Sequence, residues 1–171
     1  MKLLEQTILE LKGQAPRESP RTVLNLRVDL RIPEEYVPEV HQRMSLYKRV
    51  SQVRDAAEVA TLAEELRDRY GPFPPEVEGL LGYAALRLRA EALGIVQVDL
   101  GSAALHLRLA PETPLGGATL PAAVRAWPGA TLSPEGVLRA PLPAGRPAAV
   151  ALGEVLEALE GIREGSRRTA V

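Results

Sequence analysis

The chain has 171 residues, a formal net charge of −1 and no cysteine. That length holds one core-forming domain with room for an appendage. The missing cysteines exclude disulfides, thiolate nucleophiles and cysteine-based zinc sites, and no apolar run approaches the roughly 18 residues of a membrane span. Charge is spread unevenly. Residues 1–54 hold ten Lys/Arg against seven Asp/Glu, residues 55–100 four against nine, and residues 101–171 seven against six. The strongest local bias is therefore acidic, whereas a nucleic-acid-binding domain concentrates basic residues on one face. With no signal peptide at the N-terminus, the expected location is cytoplasmic.

Met1 to Gly13 predicts an amphipathic helix with Leu4, Ile8 and Leu11 on one side and Gly13 as its stop. Gln14 to Arg21 is polar with two prolines, a linker composition. A helix set apart in this way needs a surface on which to bury its stripe, either a neighbouring module or its own domain. From Val23 the pattern alternates: Leu24, Leu26, Val28, Leu30 and Ile32 share one side, with Asn25, Arg27, Asp29 and Arg31 on the other. Period two predicts a half-buried strand that Pro33 ends. A helix follows from about Val37 to Val53, with Val40, Met44, Tyr47 and Ser51 at helical spacing and Val37, Leu46 and Val50 broadening the stripe. Asp55 offers an N-cap for the next helix; Val59, Leu62, Ala63, Leu66 and Tyr70 form its apolar side, and Gly71 stops it.

Pro75 suits the first turn of a third helix, because its missing N–H costs nothing there. Val77, Leu80, Leu81, Ala84, Ala85, Leu88 and Leu93 line it, and Gly94 ends it. Ile95–Leu100 and Ala103–Leu109, around Gly101-Ser102, predict a β-hairpin. Leu120 to Trp127 predicts a short helix stopped by Pro128-Gly129. Residues 130–132 and 136–140 predict a second hairpin, which could share a sheet with the first. Ala148 to Ile162 predicts the last helix, followed by a polar tail from Arg163 that is expected to fray. The fold class is α+β, with several amphipathic helices packed on a small, mainly antiparallel sheet.

No catalytic constellation emerges. There is no Gly-x-x-x-x-Gly-Lys-Ser/Thr phosphate loop, and Gly116-Gly117 lacks strand-turn-helix spacing. His41 and His106, the only two histidines, lie in different elements without a His-Glu-x-x-His pattern. The serines lack a nucleophile elbow. Glu64-Glu65 are adjacent on a helix and so point about 100° apart. No catalytic, cofactor or metal residue is assigned, and no cofactor is expected. Trp127 before Pro-Gly suits a core lid. Arg43, Lys48, Arg49 and Arg54 could meet phosphate but fit a solvated face, and Arg163, Arg167 and Arg168 make a basic tail.

One surface stands apart. With Val59, Leu62 and Leu66 facing inward, the helical period gathers Thr61, Glu65 and Asp68 on the far side, with Glu58 and Arg69 at one edge. Glu65 and Arg69 are an i,i+4 pair that an ordinary wet face would carry; the same residues could instead form a charged docking patch for an arginine-bearing partner.

Four stretches resemble the C-terminal domain of bacterial transcription-repair coupling factors. These are Val-Asp-Leu-Arg-Ile-Pro at 28–33, Arg-Met-Ser-Leu-Tyr-Lys-Arg at 43–49, Glu-Leu-Arg-Asp-Arg-Tyr-Gly-Pro-Phe-Pro at 65–74 and Leu-Arg-Leu-Arg-Ala-Glu-Ala-Leu-Gly at 86–94. They cover roughly residues 20–100, and none is catalytic. The resemblance implies a non-enzymatic regulatory domain of an ATP-dependent DNA translocase that acts with RNA polymerase, DNA and the damage-recognition protein UvrA. It implies that the domain masks the N-terminal UvrA-binding module of its own parent chain. The Glu-x-x-Asp-Arg run containing Glu65, Asp68 and Arg69 is then the interdomain face. It also implies that residues 1–21 close a preceding translocase module. Residues 22–165 are then the regulatory domain, expected to be monomeric, and the polar composition makes residues 166–171 a flexible tail. The rival expectation is an accessory nucleic-acid-binding domain using the basic N-terminal part and the arginine tail.

Overall fold

The computed structural model describes residues 21–117 and 119–169; the helix and linker expected before Arg21 lie outside them. The elements in order are β1 (Val23–Asn25), α1 (Val40–Gln52), α2 (Ala56–Tyr70), α3 (Pro75–Ala92), β2 (Ile95–Leu100), β3 (Ala104–Leu109), α4 (Thr119–Ala126), β4 (Thr131–Leu132), β5 (Val137–Pro141) and α5 (Ala148–Thr169). The strands form one sheet in the order β1-β2-β3-β5-β4. β1 is parallel to β2 and the other pairs are antiparallel. The fold is α+β, and the two expected hairpins share the sheet through the β3–β5 pair.

Period-two alternation puts Leu105, Leu107 and Leu109 of β3 on the covered side, where they join Ile95, Val98 and Leu138 against Ala123 of α4 and Leu152, Val155, Leu156 and Leu159 of α5. A second cluster joins Val37 to Leu46 and Val50 of α1, Leu62 and Leu66 of α2, and Val77, Leu80, Leu81 and Ala84 of α3. Full burial of one such leucine or valine contributes about 1.5–3 kcal/mol. Helix α3 serves both clusters. Its first half faces α1 and α2, while Ala90 buries against the sheet with Tyr83 and Leu86 packed beside it. This is why α3 is apolar on more than one face. It also holds the outer edge of β1: the Thr22 backbone N–H donates to Glu91, and the Tyr83 hydroxyl donates to the Leu24 carbonyl. A covered edge cannot recruit another strand. Trp127 lies half-buried against the sheet cluster, its indole N–H donating to the Pro141 carbonyl at 3.0 Å. No helix among the described residues is long and apolar enough to cross a membrane.

Three expectations change. The strand expected through Ile32 stops at Asn25, because Arg27 takes a left-handed backbone with φ 55° and turns the chain off the sheet. Leu26 then enters the sheet cluster and Ile32 the helical one, while Val28 is left exposed. Pro33 heads a turn rather than ending a strand, its carbonyl accepting from the Tyr36 and Val37 N–H groups. In α1 the buried side is Leu46, Val50 and Arg43. Val40 and Met44 are 57% and 54% exposed, and Ser51 is also exposed. Arg43, expected on a solvated face, is 8% exposed and donates to the Val37 and Pro38 carbonyls at 2.8 and 2.9 Å. Its guanidinium satisfies turn carbonyls that burial would leave without partners. Finally, α5 continues beyond Ile162 to Thr169. Arg163 donates to the Ala92 carbonyl and Thr119 to Ser166, so tertiary contacts hold the polar segment that composition alone leaves loose.

Candidate docking surface

Helix α2 begins as its sequence requires. The Asp55 carboxylate accepts the Glu58 N–H at 2.8 Å, and the Glu58 side chain reaches back to the Arg54 N–H at 2.8 Å. This reciprocal arrangement is a capping box shifted by one residue. At the other end Gly71, with φ 86°, donates to the Arg67 carbonyl. Between these caps Leu62 and Leu66 face inward and hold the opposite side toward solvent.

Helices α1 and α2 run in opposite directions, as the Gln42–Tyr70 and Arg49–Glu65 contacts require, and both pack on α3. At one end Tyr70 donates to Gln42 at 2.8 Å, and its ring meets that of Tyr36 with centroids 5.6 Å apart. Toward the elbow an open cleft of about 390 Å³ separates the two helices, lined among others by Arg49, Gln52, Asp55, Glu58, Thr61 and Leu62. Arg49 and Glu65 bridge the pair with two parallel hydrogen bonds of 2.9 and 2.6 Å. Fork-to-fork geometry of this kind is the strong form of an arginine–carboxylate pair. The guanidinium of Arg49 accordingly holds the Glu65 carboxyl below the ordinary carboxylate range. Arg69 approaches the same carboxylate from α2 itself at 3.5 Å.

The five residues singled out in the sequence thus lie along one side of α2 with different commitments. Glu58 serves the cap, and the Thr61 hydroxyl donates to the Ala57 carbonyl at 3.0 Å. Glu65 is held from two sides. Asp68 is exposed and has no hydrogen-bonding or ion-pair partner among the described residues, while Arg69 is exposed beyond its contact with Glu65. Glu64 points to water, as expected. Arg67 is drawn off the patch over the Phe73 ring at 4.8 Å. Arg49 is the surface residue that sequence reasoning missed as part of this patch. The available signal was antiparallel pairing across the short Val53–Asp55 elbow, which brings the last turns of α1 beside α2.

The two histidines lie elsewhere. His41 is exposed on α1. His106 belongs to a row across the uncovered face of the sheet, with Asn25 and Asp99 on one side of it and Arg139 and Thr131 on the other. Asn25 and Gln97 donate to Asp99 at 2.7 Å each, which lowers its carboxyl from the ordinary value. The row contains no nucleophile paired to a base.

Comparison with known proteins gives one consistent result. The family profile of the TRCF domain matches residues 26–120. The transcription-repair-coupling factor of Myxococcus xanthus is 36% identical over 115 residues, 67% of this chain and 10% of that protein. Its Escherichia coli counterpart is 35% identical over 104 residues, 58% of this chain and 9% of that protein. The chain thus spans about a tenth of the length of these relatives. A crystal structure of the C-terminal domain of transcription-repair coupling factor superposes with a TM-score of 0.72 at 20% identity, covering 87% of this chain and 98% of the other. That likeness extends the shared fold beyond the family match, over most of the second half.

Proposed function

The chain belongs to the TRCF domain family, and from that premise we propose that it is the non-catalytic C-terminal regulatory domain of a transcription-repair coupling factor. In this reading the α2 face docks on the N-terminal module of the same parent and masks that module's UvrA-binding surface. The observation that carries the reading is the commitment pattern on α2. Asp68 and Arg69 project from a helix whose caps and apolar side are already satisfied. Charges of both signs on a rigid element suit recognition of a complementary charged partner. The rival, a nucleic-acid accessory domain, loses cations it would use: Arg43 is spent on turn carbonyls, Arg49 on Glu65 and Arg163 on the Ala92 carbonyl.

The test uses the full parent protein with Glu65, Asp68 and Arg69 changed together to Ala. Asp68 and Arg69 are exposed and should cost under about 0.5 kcal/mol each in stability. Glu65 also gives up its contact with Arg49, about 0.2–1 kcal/mol for a solvent-accessible pair, whereas losing a desolvated interdomain charge pair costs about 2–5 kcal/mol. UvrA binding should be weak in the wild type and strong in the variant. Equal binding in both, with the fold intact, would leave these residues as a wet surface.

A further inference from the structure

Glu65 lies at the centre of the docking patch, yet its carboxylate is already occupied. Arg49 holds both of its oxygens, and Arg69 stands 3.5 Å from one of them. A cation arriving from a docking partner would have to share or displace one of these guanidiniums. Arg69 sits on the same helix as Glu65 and contacts it at a single, longer distance, so it can swing aside. Arg49 sits on α1 and makes the shorter, bidentate contact. The pair is not buried: the side chains of Arg49 and Glu65 remain 42% and 36% exposed. The fork geometry makes it strong for a surface pair, but solvent reaches both side chains, so an incoming cation can compete for the carboxylate without first desolvating it. Asp68, one helical turn on, has no competing cation among the described residues.

We infer that Arg49 is a built-in competitor for the partner's cation: it holds Glu65 in the undocked state, leaves Asp68 as the residue that engages the partner first, and keeps docking weak enough to reverse. Arg49 is a positioning residue that acts through Glu65. The inference rests on the masking reading above and names how that contact is regulated. Its sign is opposite to that of an ordinary interface residue. Removing Arg49 leaves Glu65 with one cation instead of two and makes the patch more acidic, so docking on an arginine-bearing module tightens.

The experiment measures the apparent affinity of UvrA for the full parent protein, which falls as the undocked fraction falls. Arg49→Gln should weaken UvrA binding about two- to fivefold, the range set by an exposed bidentate pair. Asp68→Ala should strengthen it. In a Glu65→Gln background Arg49→Gln should change nothing, because Arg49 acts only through that carboxylate. Thermal melting of the variants separates this effect from loss of fold. Stronger UvrA binding in Arg49→Gln would overturn the inference, since Arg49 would then contact the partner or brace the surface. No change in Arg49→Gln, with Asp68→Ala still releasing the domain, would also overturn it while leaving the masking reading in place. If neither variant nor the triple alanine change alters UvrA binding, the masking reading fails as well.

Discussion

Arg87 and Glu91 form an ion pair of 2.8 Å on the side of α3 that faces both β1 and the elbow between α1 and α2. The same Glu91 oxygen accepts the Thr22 backbone N–H at 3.1 Å, and Arg87 also donates to the Val53 carbonyl at 3.0 Å. One pair of side chains, 11% and 22% exposed, thus ties the first strand and the helical hairpin to α3. Removing one partner strands the other's charge and the backbone groups it served. Glu91→Ala should cost about 2–4 kcal/mol in urea unfolding, near the range for breaking a largely buried pair. Glu91→Gln, which keeps an acceptor for Thr22, should cost less.

Gly94 closes α3 with φ 70°, and a β-carbon there would stand 2.8 Å from the Thr113 α-carbon and 2.9 Å from Pro114. Backbone cannot yield as a flexible side chain would. Gly94→Ala should therefore lose about 2–4 kcal/mol, combining left-handed strain with a steric clash. Gly82, inside the same helix, has nothing within 4 Å of its would-be β-carbon. Gly82→Ala should stabilise the fold by about 0.5–1 kcal/mol through helix propensity. Opposite signs for one substitution at two glycines make thermal melting a direct check on the packing around α3.

The rotation of α1 is testable in the same way. Val40→Lys and Met44→Lys should each change stability by no more than about 0.5 kcal/mol, as exposed positions do. Leu46→Ala should cost about 2–4 kcal/mol, since Leu46 fills the helical cluster. The reverse ranking would restore the stripe that periodicity suggested.

Asp99 gives a pH prediction. Hydrogen bonds from Asn25 and Gln97 lower its folded pKa below the ordinary 3.8. The unfolded chain therefore takes up this proton first as pH falls. The stabilisation is complete above about 3.8 and is lost as pH drops through the lowered folded value. Asp99→Asn cannot titrate. The gap in melting temperature between wild type and Asp99→Asn should be widest near neutral pH and close below about pH 3.8. A gap that widens on acidification would contradict the assigned hydrogen bonds.

Local patterns in the sequence were enough for the element order from Asp55 to Leu109 and for both hairpins, because caps, stops and period-two runs act over a few neighbouring residues. The Asp55 cap, the Gly71 and Gly94 stops, Pro75 at a helix start and the alternation of Leu105 and Leu107 all belong to this class. The exposed side of α2 was legible for the same reason: once Leu62 and Leu66 face inward, the helical period places Glu65 and Asp68 outward. Only the tertiary structure decided what those groups touch. Arg49 and Glu65 are sixteen residues apart and meet because α1 and α2 both pack on α3. The orientation of α1 was equally hidden. Val40 and Met44 compete with Leu46 and Val50 for the buried side, and contact with α3, together with turn carbonyls that a buried Arg43 can satisfy, selects Leu46 and Val50, with Tyr47 packed beside them. The first strand shows the same limit. Its alternation runs unbroken to Ile32, but a single left-handed residue at Arg27 divides it between two cores that no local pattern distinguishes.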